Sequence, residues 1–134
     1  MIVPAPIQIR FADLDVMGHV NNTVYFSYME MARVHYFKEI LGLDWDWQSF
    51  GILIVHNSID YQKPLFLHDE LQIEMSCATW GNKSFELTYS FKTKNAIHAA
   101  ARSVQVCYDS KKNETIQVPA LLIAGLKQIQ QIND

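Results

Sequence analysis

One strongly helical stretch, followed by four strand-like runs joined by short turns, restricts this chain more than any other feature. Over residues ~23–41, Tyr25, Met29, Ala32, Tyr36 and Ile40 recur as one face of a helix would repeat them. Phe26, Val34, Phe37 and Leu41 widen that stripe, and Ser27, Glu30, Lys38 and Glu39 supply a polar side. So broad an apolar face predicts a helix mostly covered by the rest of the chain. Gly42 offers a C-terminal stop, and Asn22 is the expected N-cap.

After the helix the period changes to two. Leu71, Ile73, Met75 and Cys77 alternate with Gln72, Glu74 and Ser76 over ~69–80, and Phe85, Leu87, Tyr89 and Phe91 alternate over ~83–94. Gly81-Asn82 between them predicts a tight hairpin turn. Further strands are expected at ~6–12, ~52–63 and, after a turn at Asn95-Ala96, ~97–109. Residues 43–51 read as a connection, Asp109 to Glu114 as a loop, and LLIAGLKQIQ after Pro119 as a short final helix. Short turns impose antiparallel pairing. One long helix and one such sheet bury both apolar faces only against each other. The expected fold class is therefore α+β: a curved antiparallel sheet wrapped around a long central helix, the hotdog arrangement. Edge strands of such a sheet need covering, so a dimer with a continuous sheet is expected.

At 134 residues the chain fits a single domain, 1–134. A formal net charge of -3 argues against a nucleic-acid partner. Cys77 and Cys107 are far apart and lack C-x-x-C spacing, so both read as buried thiols in a reducing compartment. The opening MIVPAPIQIR has no basic segment ahead of a long apolar run, as a secretory signal would. No stretch approaches the ~18 apolar residues of a membrane span. The expected location is cytoplasmic, with an organelle after loss of a transit peptide as the alternative.

The densest polar cluster is Asp13-x-Asp15-x-x-Gly18-His19-x-Asn21-Asn22, between the first strand and the helix. Taken alone, it reads equally as a solvated turn or as a site. The longer stretch from Phe11 through Tyr25, followed by Glu30-Met-Ala32-Arg33, resembles the signature of the 4-hydroxybenzoyl-CoA thioesterase family. Ile59-Asp-Tyr61-Gln-Lys-Pro64 with Asp69-Glu-Leu71, and Lys83-Ser84-Phe85, match further along. The resemblance spans most of the chain. It implies a hotdog fold and hydrolysis of a fatty-acyl or aryl-acyl CoA thioester, with coenzyme A entering only as part of the substrate.

On this resemblance Asp15 is the catalytic carboxylate. A carboxylate can attack the thioester carbonyl itself or activate water, and the sequence leaves both open. The oxyanion then needs donors, which the resemblance places among the amides from Asn22 to Tyr25. His19 would orient water or hydrogen-bond across the loop. Asn22 stands where some relatives carry histidine, which puts acid–base work there in doubt and leaves it substrate positioning. Tyr25 is read as acyl-pocket wall or core, and Asp13 as a brace for the turn ahead of a catalytic role. Glu30 is the rival carboxylate, and an ion pair with Arg33 is its preferred reading. Lys63, Lys83 and Arg102 are candidates for the coenzyme A phosphates, each otherwise a solvated charge. The histidines and cysteines show no metal-ligand spacing and there is no Gly-rich phosphate loop, so no metal or redox cofactor is expected. An acyl carrier protein could deliver the same thioester. A hydratase on the same fold is disfavoured by the G-H-V-N-N pattern, and a non-catalytic acyl-CoA-binding module by the intact Asp15 motif. Homodimer and homotetramer both stay open.

Overall fold

The computed structural model describes residues 1–131. Strand β1 (Ala5–Ile7) leads through a 3-10 turn (Phe11–Asp13) into helix α1 (Val24–Leu41). There follow β2 (Gly51–Tyr61), β3 (Leu71–Trp80), β4 (Ser84–Thr93), β5 (Ala96–Asp109), the short β6 (Glu114–Thr115) and helix α2 (Ala120–Gln128). The strands make one antiparallel sheet in the order β1-β3-β4-β5-β2, with β6 on the end of β5.

The alternation seen in the sequence becomes one buried face. Register pairs Ile73 with Phe91, Met75 with Tyr89 and Cys77 with Leu87, and all six are buried. Against that face α1 sets Tyr25, Tyr28, Met29, Ala32, Tyr36 and Phe37. Phe37 meets Phe85 edge to face at 6.3 Å, and Tyr25 lies 5.3 Å from Phe91. Burying one such side chain is worth about 1.5–3 kcal/mol, so this layer holds the sheet and helix together. The α+β hotdog arrangement is therefore realised.

Helix α1 lies over β1 and β3 and against α2, away from β2. At Gly125 the two helices approach so closely that a Cβ there would stand 2.9 Å from Ile40 Cβ. The chain then docks on β3: the Cys77 N–H donates to the Ile129 carbonyl (2.7 Å) and the Gln131 N–H to the Cys77 carbonyl (2.8 Å). The other flank of α1 is open in the single chain, where Met31 and Val34 are exposed, so the helix is less covered than its apolar stripe implies. Beyond it β2 forms an unpaired sheet edge with Leu53 and Val55 exposed.

Several boundaries differ from the sequence reading. The first strand stops at Ile7, because its partner β3 starts at the paired Leu71 and offers nothing to residues 8–12. Phe11 is exposed there, and the chain turns instead. Asn22 is not the N-cap. Thr23 holds that position without a side-chain bond, while the Asn21 side chain accepts the Thr23 N–H at 3.0 Å. An Asn side chain reaches a backbone N–H two residues on, which is why the neighbour does this work. The first hairpin turn takes in Lys83 as well as Gly81-Asn82, and the second is Lys94-Asn95. The expected loop after Asp109 folds back through Asn113 (φ 54°) to form β6.

Candidate active site

The site begins with a buried carboxylate. Asp13 accepts hydrogen bonds from the Tyr28 hydroxyl (2.6 Å), the Arg10 N–H (3.0 Å) and the Arg10 guanidinium (3.3 Å). Burial alone would raise its pKa, but the Tyr28 hydroxyl and the two Arg10 donors outweigh it and hold the carboxyl below its ordinary value. The Asp13 carbonyl also accepts the Asn21 N–H at 2.9 Å. Asp13 thus braces both ends of the loop, as its turn-bracing reading required.

Between those ends the chain folds tightly. The Asp15 N–H donates to the His19 carbonyl (2.9 Å) and the Gly18 N–H to the Asp15 carbonyl (3.0 Å). Gly18 has φ +84°, which an L side chain adopts only with strain. The turn presents the Asp15 carboxylate outward. One of its oxygens accepts the Met17 N–H at 2.9 Å. The other lies 3.6 Å from His19 Nδ1, too far for a hydrogen bond but within ion-pair range when the ring is protonated.

Asp15, His19, Asn22, Tyr25 and Lys63 line one cavity of about 340 Å³. Val20 also lines it, and it is completed by Tyr61, Gln62 and Pro64. These three stand in the second matched motif, beside Lys63, but composition and spacing gave no reason to single them out. The Tyr61 hydroxyl donates to the Asn22 carbonyl at 2.9 Å, tying the end of β2 to the start of α1. Tyr25 is both core and wall: it is buried, packs on Tyr61 at 4.9 Å, and touches the cavity. Burial, with Tyr61 and Asp69 nearby, pushes its phenol up to about 12. Asn21 takes the Thr23 and Val24 N–H groups, whereas the Asn22 N–H makes no hydrogen bond among the described residues.

Lys83 is not brought to this cavity. It ends the turn before β4, at the opposite end of the sheet from Tyr61, and its Nζ donates to Thr115 Oγ1 at 3.3 Å. Arg102 pairs with Glu86 at 2.6 Å. The expected Glu30–Arg33 ion pair is absent from the described residues. The Arg33 guanidinium instead donates to the Tyr89 hydroxyl (3.0 Å), which a buried phenol needs more than an exposed Glu30 needs a cation. Glu30 lines a separate cavity of about 500 Å³ between α1 and β2, with Phe37, Trp47 and Ile54. No group of three or more His, Cys, Asp or Glu side chains is gathered as metal ligands would be among the described residues. No helix of the described residues is long and apolar enough to cross a membrane.

A long helix packed on an antiparallel sheet, with a polar turn feeding the helix N-terminus, defines a hotdog protein. Residues 9–126 match the model of the thioesterase-like superfamily, and the chain belongs to that superfamily. It is 29% identical over 122 residues to 1,4-dihydroxy-2-naphthoyl-CoA hydrolase of Synechococcus elongatus, covering 85% of this chain and 87% of that one. It is 27% identical over 126 residues to the long-chain acyl-CoA thioesterase FadM of Escherichia coli, covering 92% and 96%. Among solved structures it superposes with a TM-score of 0.82 on a Thermus thermophilus thioesterase complexed with coenzyme A and Zn, at 27% identity over 93% of this chain and 91% of that one.

Proposed function

We propose that this member of the thioesterase-like superfamily is a thioester hydrolase that cleaves an acyl-CoA to the free acid and coenzyme A, with Asp15 as the reacting carboxylate. Within the superfamily its Asp13-to-Asn22 motif resembles the signature of the 4-hydroxybenzoyl-CoA thioesterase family, which supports assigning it there. The observation that carries the reading is the convergence of Asp15, His19, Asn22 and Lys63 on one cavity at the start of α1. Asp15 either takes a proton from water as that water attacks the carbonyl carbon, or attacks to form an anhydride that water then opens. In both routes the carbon–sulfur bond breaks; the thiolate takes the proton that Asp15 removed from water in the first, and the proton released when water opens the anhydride in the second. Of the amides from Asn22 to Tyr25, those of Thr23 and Val24 are already bonded to Asn21, so the Asn22 N–H, which makes no hydrogen bond among the described residues, is the donor we assign to the oxyanion. His19 orients the water or the carboxylate, and Lys63 meets an anionic part of coenzyme A. Fatty-acyl and aryl-acyl groups both suit the apolar surface along α1 and β2.

The unpaired β2 edge, with Leu53 and Val55 exposed, supports a homodimer in which two β2 strands continue the sheet. Two dimers could pair as a tetramer. Two buried thiols without a disulfide fit a cytoplasmic setting.

The test is thiol release from short, long, branched and aromatic acyl-CoAs by the wild type and Asp15→Asn side by side. Turnover should fall by roughly 10²–10⁴-fold in the variant, with affinity for a non-hydrolysable analogue retained. Unchanged turnover would transfer the role to Glu30. Absence of wild-type turnover on every CoA ester, and then on acyl carrier protein thioesters, would overturn the reading. A rapid-quench search for an acyl adduct on Asp15 separates the two chemical routes.

A further inference from the structure

The cavity's second wall, residues 62–64, belongs to no helix or strand, yet the reaction proposed above needs it at a fixed distance from Asp15. What holds it is one buried residue, through its backbone carbonyl and its ring. In the β4–β5 ladder, Phe91 pairs with Ala99 and Lys92 with Ile97, so His98 is the extra residue of a β-bulge. The bulge breaks the alternation of β5 and turns both His98 and Ala99 to the buried side.

From there His98 holds three consecutive residues of the wall. Its carbonyl accepts the Gln62 N–H (2.9 Å) and the Lys63 N–H (3.1 Å). Its ring Nδ1 meets the Pro64 carbonyl at 3.0 Å. A carbonyl only accepts, so Nδ1 carries a proton. The opposite nitrogen, Nε2, meets Thr93 Oγ1 at 2.9 Å, and this fixes the ring plane. The next wall residue, Leu65, is fully buried, and its carbonyl accepts the Val20 N–H at 2.8 Å. Val20 directly follows His19. A continuous path of hydrogen bonds therefore runs from Thr93 through His98 and the wall to the loop that presents Asp15.

We infer that His98 is a positioning residue for thioester cleavage: it sets the gap between the Gln62–Pro64 wall and the Asp15–His19 loop. The inference rests on the thioesterase reading. His98 touches no reacting atom, and its effect passes through Lys63, Pro64 and Val20. The Nδ1 bond to Pro64 is the part that matters for activity, whereas the Nε2 bond to Thr93 serves stability.

Two variants separate these. His98→Leu removes both ring bonds. His98→Asn removes the Thr93 bond but places an amide N–H near the Nδ1 position. Both should melt at similarly reduced temperature, since both lose Thr93. Only His98→Leu should lose kcat/KM, by about tenfold to a hundredfold, as expected for a displacement on the scale of an ångström. In the same protein the Lys63 and Val20 amides should exchange their hydrogens faster. His98→Asn should stay within a few-fold of wild type in both readouts. A folded His98→Leu with wild-type kcat/KM, or a His98→Asn impaired as much as His98→Leu, would overturn the inference while leaving the thioesterase reading intact. A wild-type protein inactive on every thioester would overturn both.

Discussion

Asp13 and Asp15 stand two positions apart in different electrical surroundings. Asp13 is buried among donors that keep it ionised, so it titrates below its unfolded value of about 3.9. In that window the unfolded chain binds more protons, so stability rises with pH there and is lost as pH falls through the folded value. Asp13→Asn should cost about 1.5–3 kcal/mol at neutral pH, the worth of hydrogen bonds to a charged group. The gap to wild type should narrow as pH drops below about 4. Urea melts across that range check both points, and a gap independent of pH would show that the charge is not what braces the loop. Gly18 carries a different constraint. With φ +84° and open space around it, Gly18→Ala should cost roughly 1–2 kcal/mol through backbone strain alone. It should also lower turnover, because the turn it closes sets Asp15 against His19. The motif made Asp13 to Asn22 legible from sequence. His98 was not, because its neighbours Ile97 and Ala99 are apolar and its work is done with backbone groups of a distant segment.

At the scale of elements, the long periodic segments were readable and their ends were not. Helix α1 and strands β2 to β5 fall within a few residues of their expected spans, and in β3 and β4 the side-chain period follows the buried face. The first strand failed at Gln8, where the alternation persists through Ile9 but the ladder has run out of partner. The helix start failed at Asn22, since adjacent asparagines differ only in which one the turn aims at the helix. The contact between α1 and α2 had no sequence signal beyond one glycine. Gly125→Ala would drive a Cβ to 2.9 Å from Ile40 Cβ and should cost about 1–3 kcal/mol. Combining it with Ile40→Ala, which keeps Cβ but removes the Cγ1 and Cδ1 atoms 3.1 Å away, should recover part of that loss, measured as non-additivity in thermal melts. Strict additivity would mean that the helices part freely.

For the whole molecule, one flank of α1 and the outer edge of β2 are left uncovered. If a second copy covers them, the melting temperature should rise with protein concentration. Val55→Lys, a charge set on the edge, should remove that dependence and lower the sedimentation coefficient toward that of a monomer. A concentration-independent melt in the wild type would exclude β2 pairing as a source of stability. Pattern alone indicated one helix on one sheet, but not which side of the helix would be left open. That depends on α2 and the residues after it docking on β3, far along the chain from α1.

That docking has a kinetic consequence. Burial pushes both thiols up to about 11, so in the folded molecule they are nearly inert to alkylating reagents at neutral pH. Each is therefore a clock for its own surroundings. Cys77 lies under the docked segment that follows α2, whereas Cys107 lies within β5, between β2 and β4. If the segment lifts off as a unit smaller than the whole protein, Cys77 will be labelled at a rate set by that lifting, and Cys107 only at the slower rate of global unfolding. Equal labelling rates would mean that α2 and the sheet come apart only together.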